Sequence, residues 1–332
     1  MRPTRRSVTV DVVPTATGTS PCRPRAAVPP ERPDPVIAVH GLVKRYGGSA
    51  VVDGVDLRVE RGEIFGLLGA NGAGKTTTVE CLQGLRRPDA GSVRVLGLDP
   101  VGDRAALRRR IGSQLQDSAL PDRLRAGEAL RLLDPTGSVD VDAHLGRWGL
   151  DGCRRTGYGD LSGGQRQRLL VAIALLGSPE VVFLDELTTG LDAAARRDVW
   201  ATIRRVRDDG ATVVLVSHLA DEIEALCDRV GVLRAGRVVD VATPRGLVDR
   251  HAPGARLTCV APSDVDLVAL GRLRGVERAE RRGDRLVVEG ASELVAPVCA
   301  ALLDADGSGP AELVVERPSL DDALAALTGA GR

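Results

Sequence analysis

The chain has 332 residues, room for one large α/β domain and a smaller one. Hydrophobic residues make up 43% and aromatics only 2%, so a core must be packed from Leu, Val and Ala rather than from rings. Lys+Arg and Asp+Glu are matched at 45 each, which leaves no global field to attract nucleic acid or a membrane surface.

Residues 1–34 carry Pro, Arg, Thr and Ala without periodicity. They read as a disordered extension, with a weak electrostatic tether to anionic lipid as the alternative. No apolar stretch there makes a signal peptide. A globular pattern starts at Val36. Val36–Val39 and the alternating Val55, Leu57 and Val59 predict strands, with Tyr46-Gly47-Gly48 turning between them. Glu63–Leu68 predicts a short buried strand and Thr76–Leu85 a helix. Between them lies Gly69-Ala70-Asn71-Gly72-Ala73-Gly74-Lys75-Thr76, followed by Thr77 and Thr78. It fits G-x-x-x-x-G-K-[ST], the phosphate-binding P-loop, in the strand–loop–helix context the motif requires. The glycines let backbone N–H groups close on a polyphosphate, and the helix N-terminus adds its positive end. Lys75 is placed to reach the β- and γ-phosphates and the Thr76 hydroxyl to hold Mg²⁺. Lys75 and Lys44 are the only lysines in an arginine-rich chain, which suits a position that needs a compact point charge.

Ser92–Leu98 predicts a further strand and Arg104–Arg110 a basic helical segment leading into Ile111-Gly112-Ser113-Gln114-Leu115-Gln116. Residues 117–158 read as helical pieces around the turn Asp134-Pro135-Thr136-Gly137. Leu161-Ser162-Gly163-Gly164-Gln165 then precedes an amphipathic helix, Arg166–Leu176. The apolar run Leu169–Leu184 is broken by Gly177, Ser178, Pro179 and Glu180 and is no membrane span. Val181–Glu186 predicts a buried strand ending in two acids. Asp185, at the C-terminal end of a parallel strand, is placed for Mg²⁺, and Glu186 for a general base. Two solvated acids ending a strand are common, and the upstream P-loop gives this pair its weight. A helix at Ala193–Asp208 and a strand at Thr212–Val216 follow. His218, just past the strand, can touch a γ-phosphate or equally serve as a cap or core residue. The six cysteines form no C-x-x-C pair and read as small core residues.

Taken together, these motifs resemble the ATP-binding subunit of an ABC transporter over about Val36 to His251. Asn71-Gly72-Ala73-Gly74-Lys75-Thr76-Thr77 resembles Walker A, Leu161–Gln165 the LSGGQ signature, Val181–Glu186 Walker B, Thr189-Gly190-Leu191-Asp192 the D-loop and His218 the switch histidine. Gln116 matches the Q-loop glutamine, with Gln114 as the alternative. Tyr46 stands where the family stacks an aromatic on adenine. The resemblance implies an ATP hydrolase with ATP and Mg²⁺ bound. The metal would rest on Thr76, Gln116 and Asp185, and Glu186, His218, Gln116 and Lys75 would carry catalysis. It also implies a head-to-tail homodimer in which Ser162 and Gly164 of one copy complete the γ-phosphate site of the other, with Gly163, Gln165 and Asp192 also counted among the nucleotide-binding residues. Since no segment spans a bilayer, the pore would be a separate integral-membrane permease, and the subunit would sit peripherally on the cytoplasmic face of the membrane. Two departures stand out. Leu187 replaces the proline that usually follows Walker B, and the segment between Q-loop and signature is short.

From about His251 the pattern changes. Arg256–Val260, Val276–Arg281, Arg285–Glu289 and Leu313–Glu316 predict strands. Ser263–Leu273, Ser292–Leu303 (with an awkward Pro297) and Ser319–Leu327 predict helices, roughly βαββαβα and compatible with a ferredoxin-like lobe. The ending Arg317-Pro318-Ser319-Leu320-Asp321-Asp322 through Leu327-Thr328-Gly329 resembles the tail of drug- and antibiotic-resistance exporter ATPases. The expected class is therefore α/β. It comprises a P-loop NTPase of ABC type at 35–251, with a RecA-like core, an antiparallel β subdomain and a helical subdomain, and an α+β domain at 252–332. The competing expectation is a soluble ATPase of the same superfamily acting on DNA or ribosomes. Lys75 and Ser162 lie too close in sequence for the long coiled coils of DNA-maintenance heads, and only one cassette is present. Neutral charge balance likewise argues against direct nucleic-acid binding.

Overall fold

The computed structural model describes residues 34–114, 120–188, 191–260, 265–303 and 309–328. The expected extension at 1–34 therefore lies, but for its last residue, outside the described residues. Strands β1 (Ile37–Tyr46) and β2 (Ser49–Val59) form the hairpin expected around Gly47-Gly48. β3 (Ile64–Leu68) runs into the P-loop and helix α1 (Lys75–Leu82). Helix α1 stops three residues short of the expected Leu85. Gly84 takes φ 69°, where a Cβ would also lie 2.1 Å from the Pro100 carbonyl oxygen. β4 (Ala90–Val95) likewise ends before Leu98, because Leu96 and Gly97 turn with φ 53° and 76° and the Leu98 N–H returns to the Val95 oxygen at 2.9 Å.

Helix α2 (Arg104–Arg108) leads to β5 (Ile111–Gln114). Helices α3 (Ala126–Leu133), α4 (Val141–Arg147) and α5 (Gly163–Ala174) follow, then β6 (Val181–Asp185), α6 (Ala193–Asp208) and β7 (Thr212–Ser217). Helix α7 (Ala220–Leu226), β8 (Arg229–Arg234), β9 (Arg237–Ala242) and α8 (Pro244–His251) complete this part. The central sheet has the order β5-β6-β7-β3-β8-β9, parallel except for β9 at one edge, and the smaller antiparallel sheet has the order β2-β1-β4.

The central strands are buried on both faces, so they read in sequence as unbroken apolar runs. The alternation nevertheless shows in the packing. Ile64, Leu68, Val182, Leu184, Val213 and Leu215 pack with Val171, Val199 and Ile203 of the flanking helices. Phe65, Leu67, Val181, Phe183, Val214 and Val216 face the other way, against Ile37, Val39 and Leu57 of the antiparallel sheet. The helical segment between β5 and β6 has its own core, including Leu130, Leu145, Leu150, Leu161 and Leu169. Despite its short sequence it is a packed unit.

Strands β10 (Ala255–Val260), β11 (Val276–Arg282), β12 (Arg285–Gly290) and β13 (Ala311–Glu316) form a second antiparallel sheet, with helices α9 (Leu267–Gly271) and α10 (Val295–Ala301). Its order, β11-β12-β10-β13, is the ferredoxin-like one expected from βαββαβ. Ser263, the expected cap of the first helix, lies outside the described residues. Helix α9 is capped instead by Asp266, whose carboxylate accepts from the Val268 and Ala269 N–H groups. Pro297 causes no interior break, because α10 begins only at Val295, after a separate turn at Ser292–Leu294. The proline therefore sits in the first helical turn, where its missing N–H loses nothing. The last helix, α11 (Leu320–Thr328), leaves this lobe. Leu320 and Ala323 are buried in the same core as α6 and β7, with Leu324 and Leu327 packed beside them. The Leu320 N–H donates to Glu224 of α7 at 2.9 Å, and Arg234 donates to the Leu327 carbonyl at 2.7 Å.

Candidate active site

The P-loop connects the C-terminal end of β3 to α1 through positions only glycine fills easily. Gly74, immediately before the helix, has φ 101°. Gly69 lies so close to β8 that a Cβ would stand 2.4 Å from the Leu233 carbonyl oxygen. Asn71 and Gly72 are exposed at the tip, whereas Ala73 is buried and its carbonyl accepts the Gly236 N–H at 3.0 Å. Lys75 is buried, and its Nζ donates to the carbonyls of Gly69 at 2.8 Å and Ala70 at 3.2 Å, closing the loop on itself. Burial pushes the Lys75 pKa down, while the carboxylates of Glu186 and Asp185 pull it up. Thr76, at the start of α1, donates from its hydroxyl to Asp185 Oδ2 at 3.4 Å, and Thr77 follows on the same helix.

Asp185 is the last residue of β6 and is itself buried. Its N–H donates to Oε1 of Gln114, the end of the neighbouring β5, at 3.1 Å. Gln114 is thus a buried strand residue turned toward the backbone of β6, and Gln116 lies outside the described residues. After Asp185 the chain turns abruptly. Glu186 adopts φ 49°, a left-handed value uncommon for a residue with a side chain, while its N–H still pairs with the Val216 carbonyl at 3.0 Å. The turn sets the Glu186 carboxylate against His218, with Oε1 3.1 Å from Nδ1. Leu187, in place of the usual proline, is fully buried in the core and helps anchor this turn. Lys75, Thr76, Asp185, Glu186 and His218 therefore converge at the C-terminal edge of three adjacent parallel strands, β6-β7-β3.

Ser162 is the N-cap of α5. Its hydroxyl accepts the Gln165 N–H at 3.2 Å while Gln165 Oε1 accepts the Ser162 N–H at 2.9 Å, a reciprocal capping box. The helix consequently begins at Gly163, three residues before the expected Arg166. Cβ atoms on Gly163 and Gly164 would come within 3.2 Å of Leu191 and Ala195 respectively, so the signature packs tightly on the start of α6. Asp192 caps that helix by accepting from Ala194 and Ala195. Thr189 and Gly190 lie outside the described residues. Tyr46 is exposed at the hairpin end of β1, paired with Ser49, and Val51 of the same hairpin has its carbonyl against Gly74. Arg86 and Lys44 lie 5.5 and 5.7 Å from its ring centre. Two buried polar residues beside this site, Thr188 and Glu222, escape the sequence reading. The available signal is that Glu222 stands four residues before Leu226, on the apolar side of α7.

Residues 52–189 match the family model described as ABC transporter. Over 310 residues the chain is 39% identical to the daunorubicin resistance ATP-binding protein DrrA3 of Streptomyces coeruleorubidus, covering 90% of this chain and 98% of that one. The chain belongs to the ABC transporter ATP-binding proteins. It is also 36% identical to a Nod factor export ATP-binding protein I of Ralstonia nicotianae, across 76% of this chain and 80% of the relative. A solved ATP-binding subunit of an ABC transporter superposes with a TM-score of 0.58 at 26% identity, covering 65% of this chain and 92% of its own. As a member of this family the chain is an ATP-binding, ATP-hydrolysing transporter subunit. The alternative of a soluble ATPase working on DNA or ribosomes has no support among these relatives. No helix among the described residues is long and apolar enough to cross a membrane.

Proposed function

We propose that this ABC subunit powers export of a small drug-like, antibiotic or lipid-like molecule through a separate integral-membrane permease. It would work at the cytoplasmic face of the membrane as a head-to-tail pair of identical copies. The observation that carries the chemistry is the 3.1 Å contact of Glu186 with His218 at the strand edge where Lys75, Thr76 and Asp185 also meet. The direction of transport follows from the relatives, whose names refer to daunorubicin resistance and Nod factor export.

Backbone N–H groups from Gly69 to Thr77 hold the ATP phosphates, and Lys75 gives up its carbonyl contacts to neutralise the β- and γ-phosphate oxygens. Tyr46 covers the adenine. Thr76 and Asp185, whose oxygens lie 3.4 Å apart, would hold a Mg²⁺ ion, and Gln116, the third ligand expected from the sequence, lies outside the described residues. Among the described residues no cluster of three acidic, His or Cys side chains forms a protein cage, which suits an ion completed by phosphate and water. Bound there, Mg²⁺ offsets charge on the phosphate oxygens. Glu186 takes a proton from the attacking water, and His218 fixes the orientation of that carboxylate. The signature of the second copy supplies the Ser162 hydroxyl and the N–H groups of Gly163 and Gly164, which open helix α5 and lack intrahelical acceptors. Gln165 holds Ser162 in place, and Asp192 sets the start of the adjoining helix.

The Glu186→Gln variant tests this reading. It keeps shape and hydrogen bonding but removes the base, so ATP turnover should fall by about 100-fold or more while ATP binding persists. It should also accumulate as an ATP-dependent dimer in size-exclusion chromatography. Adding Ser162→Arg should abolish that dimer without loss of nucleotide binding. Normal turnover by Glu186→Gln overturns the base assignment, and an undiminished dimer in the double variant overturns the trans role of the signature.

A further inference from the structure

One ionisable side chain beside the catalytic turn is wholly buried and has no part in the chemistry above. Glu222, on α7, is 1% exposed. Its Oε1 accepts two hydrogen bonds, from the Thr188 hydroxyl at 2.9 Å and from the indole N–H of Trp200 at 3.3 Å. Its Oε2 is buried with no hydrogen-bond partner among the described residues. Withdrawing a carboxyl group from water and leaving one oxygen unpaired costs free energy that an apolar side chain would spare. A site that retains it calls for a reason.

The surroundings supply one. Thr188 is two residues beyond Glu186, whose left-handed backbone is strained in a residue bearing a Cβ. Such a turn persists only when neighbours over-determine it. On its N-terminal side the Glu186 N–H is held by the Val216 carbonyl at 3.0 Å. On its C-terminal side the Thr188 hydroxyl is held by Glu222. Helix α7, which carries Glu222, starts two residues after His218, and Trp200 belongs to α6, the helix capped by Asp192. A single carboxyl oxygen thus joins the turn that aims Glu186, the helix that follows His218 and the helix behind the signature glycines.

We infer that Glu222 is a positioning residue for ATP hydrolysis, a shared buried acceptor that holds the Glu186 turn in register with His218. It acts through the geometry of Oε1 and not through charge. Glu222 touches no reacting atom. The inference rests on Glu186 being the base.

The test compares steady-state ATPase kinetics of the full chain with three substitutions. Glu222→Gln keeps an acceptor oxygen at the same reach. Glu222→Met keeps length and volume but removes the acceptor, and Thr188→Val exchanges the donor hydroxyl for a methyl group. Glu222→Met and Thr188→Val should each lower kcat by about tenfold with the ATP KM within about twofold, because the P-loop grip on the phosphates is untouched. Glu222→Gln should stay near wild type. The Thr188→Val/Glu222→Met pair should be no slower than the slower single variant, as expected for two halves of one interaction. The inference is overturned if Thr188→Val or Glu222→Met turns over at the wild-type rate, if Glu222→Gln loses as much as Glu222→Met, or if kcat and KM shift together. Should Glu222→Met not fold, Thr188→Val against Glu222→Gln decides the matter alone. Glu186→Gln is run alongside. Retained turnover there removes the base reading itself, whereas lost turnover there with a wild-type Glu222→Met removes only the positioning role.

Discussion

The three glycines of the P-loop are required for separable reasons, which makes their alanine variants a graded test of the geometry. Gly72 has φ 79° and nothing within 4 Å of where a Cβ would stand, so Gly72→Ala pays only backbone strain. That strain is about 1–2 kcal/mol, partly offset by about 0.4–1 kcal/mol because alanine restricts the unfolded chain. The net loss should be about 0–1.6 kcal/mol, and nucleotide affinity should fall by about 15-fold at most. Gly69 has an ordinary φ, but its Cβ would stand 2.4 Å from the Leu233 carbonyl oxygen, a clash with the backbone of β8 that no rotamer relieves. Gly74 combines φ 101° with a Cβ 2.6 Å from the Val51 carbonyl oxygen. Overpacking costs about 1–3 kcal/mol, so with the same unfolded-chain offset Gly69→Ala should lose up to about 2.6 kcal/mol and Gly74→Ala, with its strain added, about 1–4.6 kcal/mol. The loop must then shift, and Lys75, the next residue, moves with it. Urea unfolding of each variant, with fluorescent-nucleotide titration, gives both quantities. The expected order of damage is Gly72 least, Gly69 intermediate and Gly74 greatest. Equal losses at Gly72 and Gly74 would refute the account of the loop, since only the clash distinguishes them.

Tyr46→Ala should raise the KM for ATP and leave kcat nearly unchanged, since stacking acts equally on bound substrate and transition state; an unchanged KM leaves Tyr46 a turn residue only. Leu320→Ala empties a fully buried position where α11 enters the main core and should cost about 2–5 kcal/mol in urea unfolding, whereas a helix merely resting on the surface would lose under 1 kcal/mol. The Arg110 guanidinium, with Arg61 beyond it, holds the half-exposed Glu180 carboxyl below its ordinary pKa of 4.5. A depressed folded-state pKa contributes stability above 4.5 that disappears as pH falls through the lower folded value. The gap in melting temperature between wild type and Glu180→Gln should therefore be open at neutral pH and close progressively below pH 4.5, and a gap that persists into acid would show that charge pairing is not its source.

The residues that build the P-loop, the acidic strand end and the signature were legible because each motif carries its own local physics. A glycine run between an apolar strand and a helix and an acid where a buried strand surfaces state their conformation without reference to distant chain, whereas the serine three positions before a glutamine was a local cue left unread, so that the helix expected from Arg166 starts at Gly163. What was not legible depends on partners remote in sequence. Leu320, Leu324 and Leu327 announce one apolar face of a helix, but nothing in their spacing says that the face closes on α7 and α8 rather than on the sheet formed just before it. The left-handed turn at Glu186 is likewise invisible, since Leu187 carries none of the constraint a proline would declare. The restraint comes from the Val216 carbonyl and the Thr188–Glu222 bond, 30 and more positions away. These two omissions meet on one helix. Glu222 on one side of α7 grips the catalytic turn and Glu224 on the other grips the first N–H of α11.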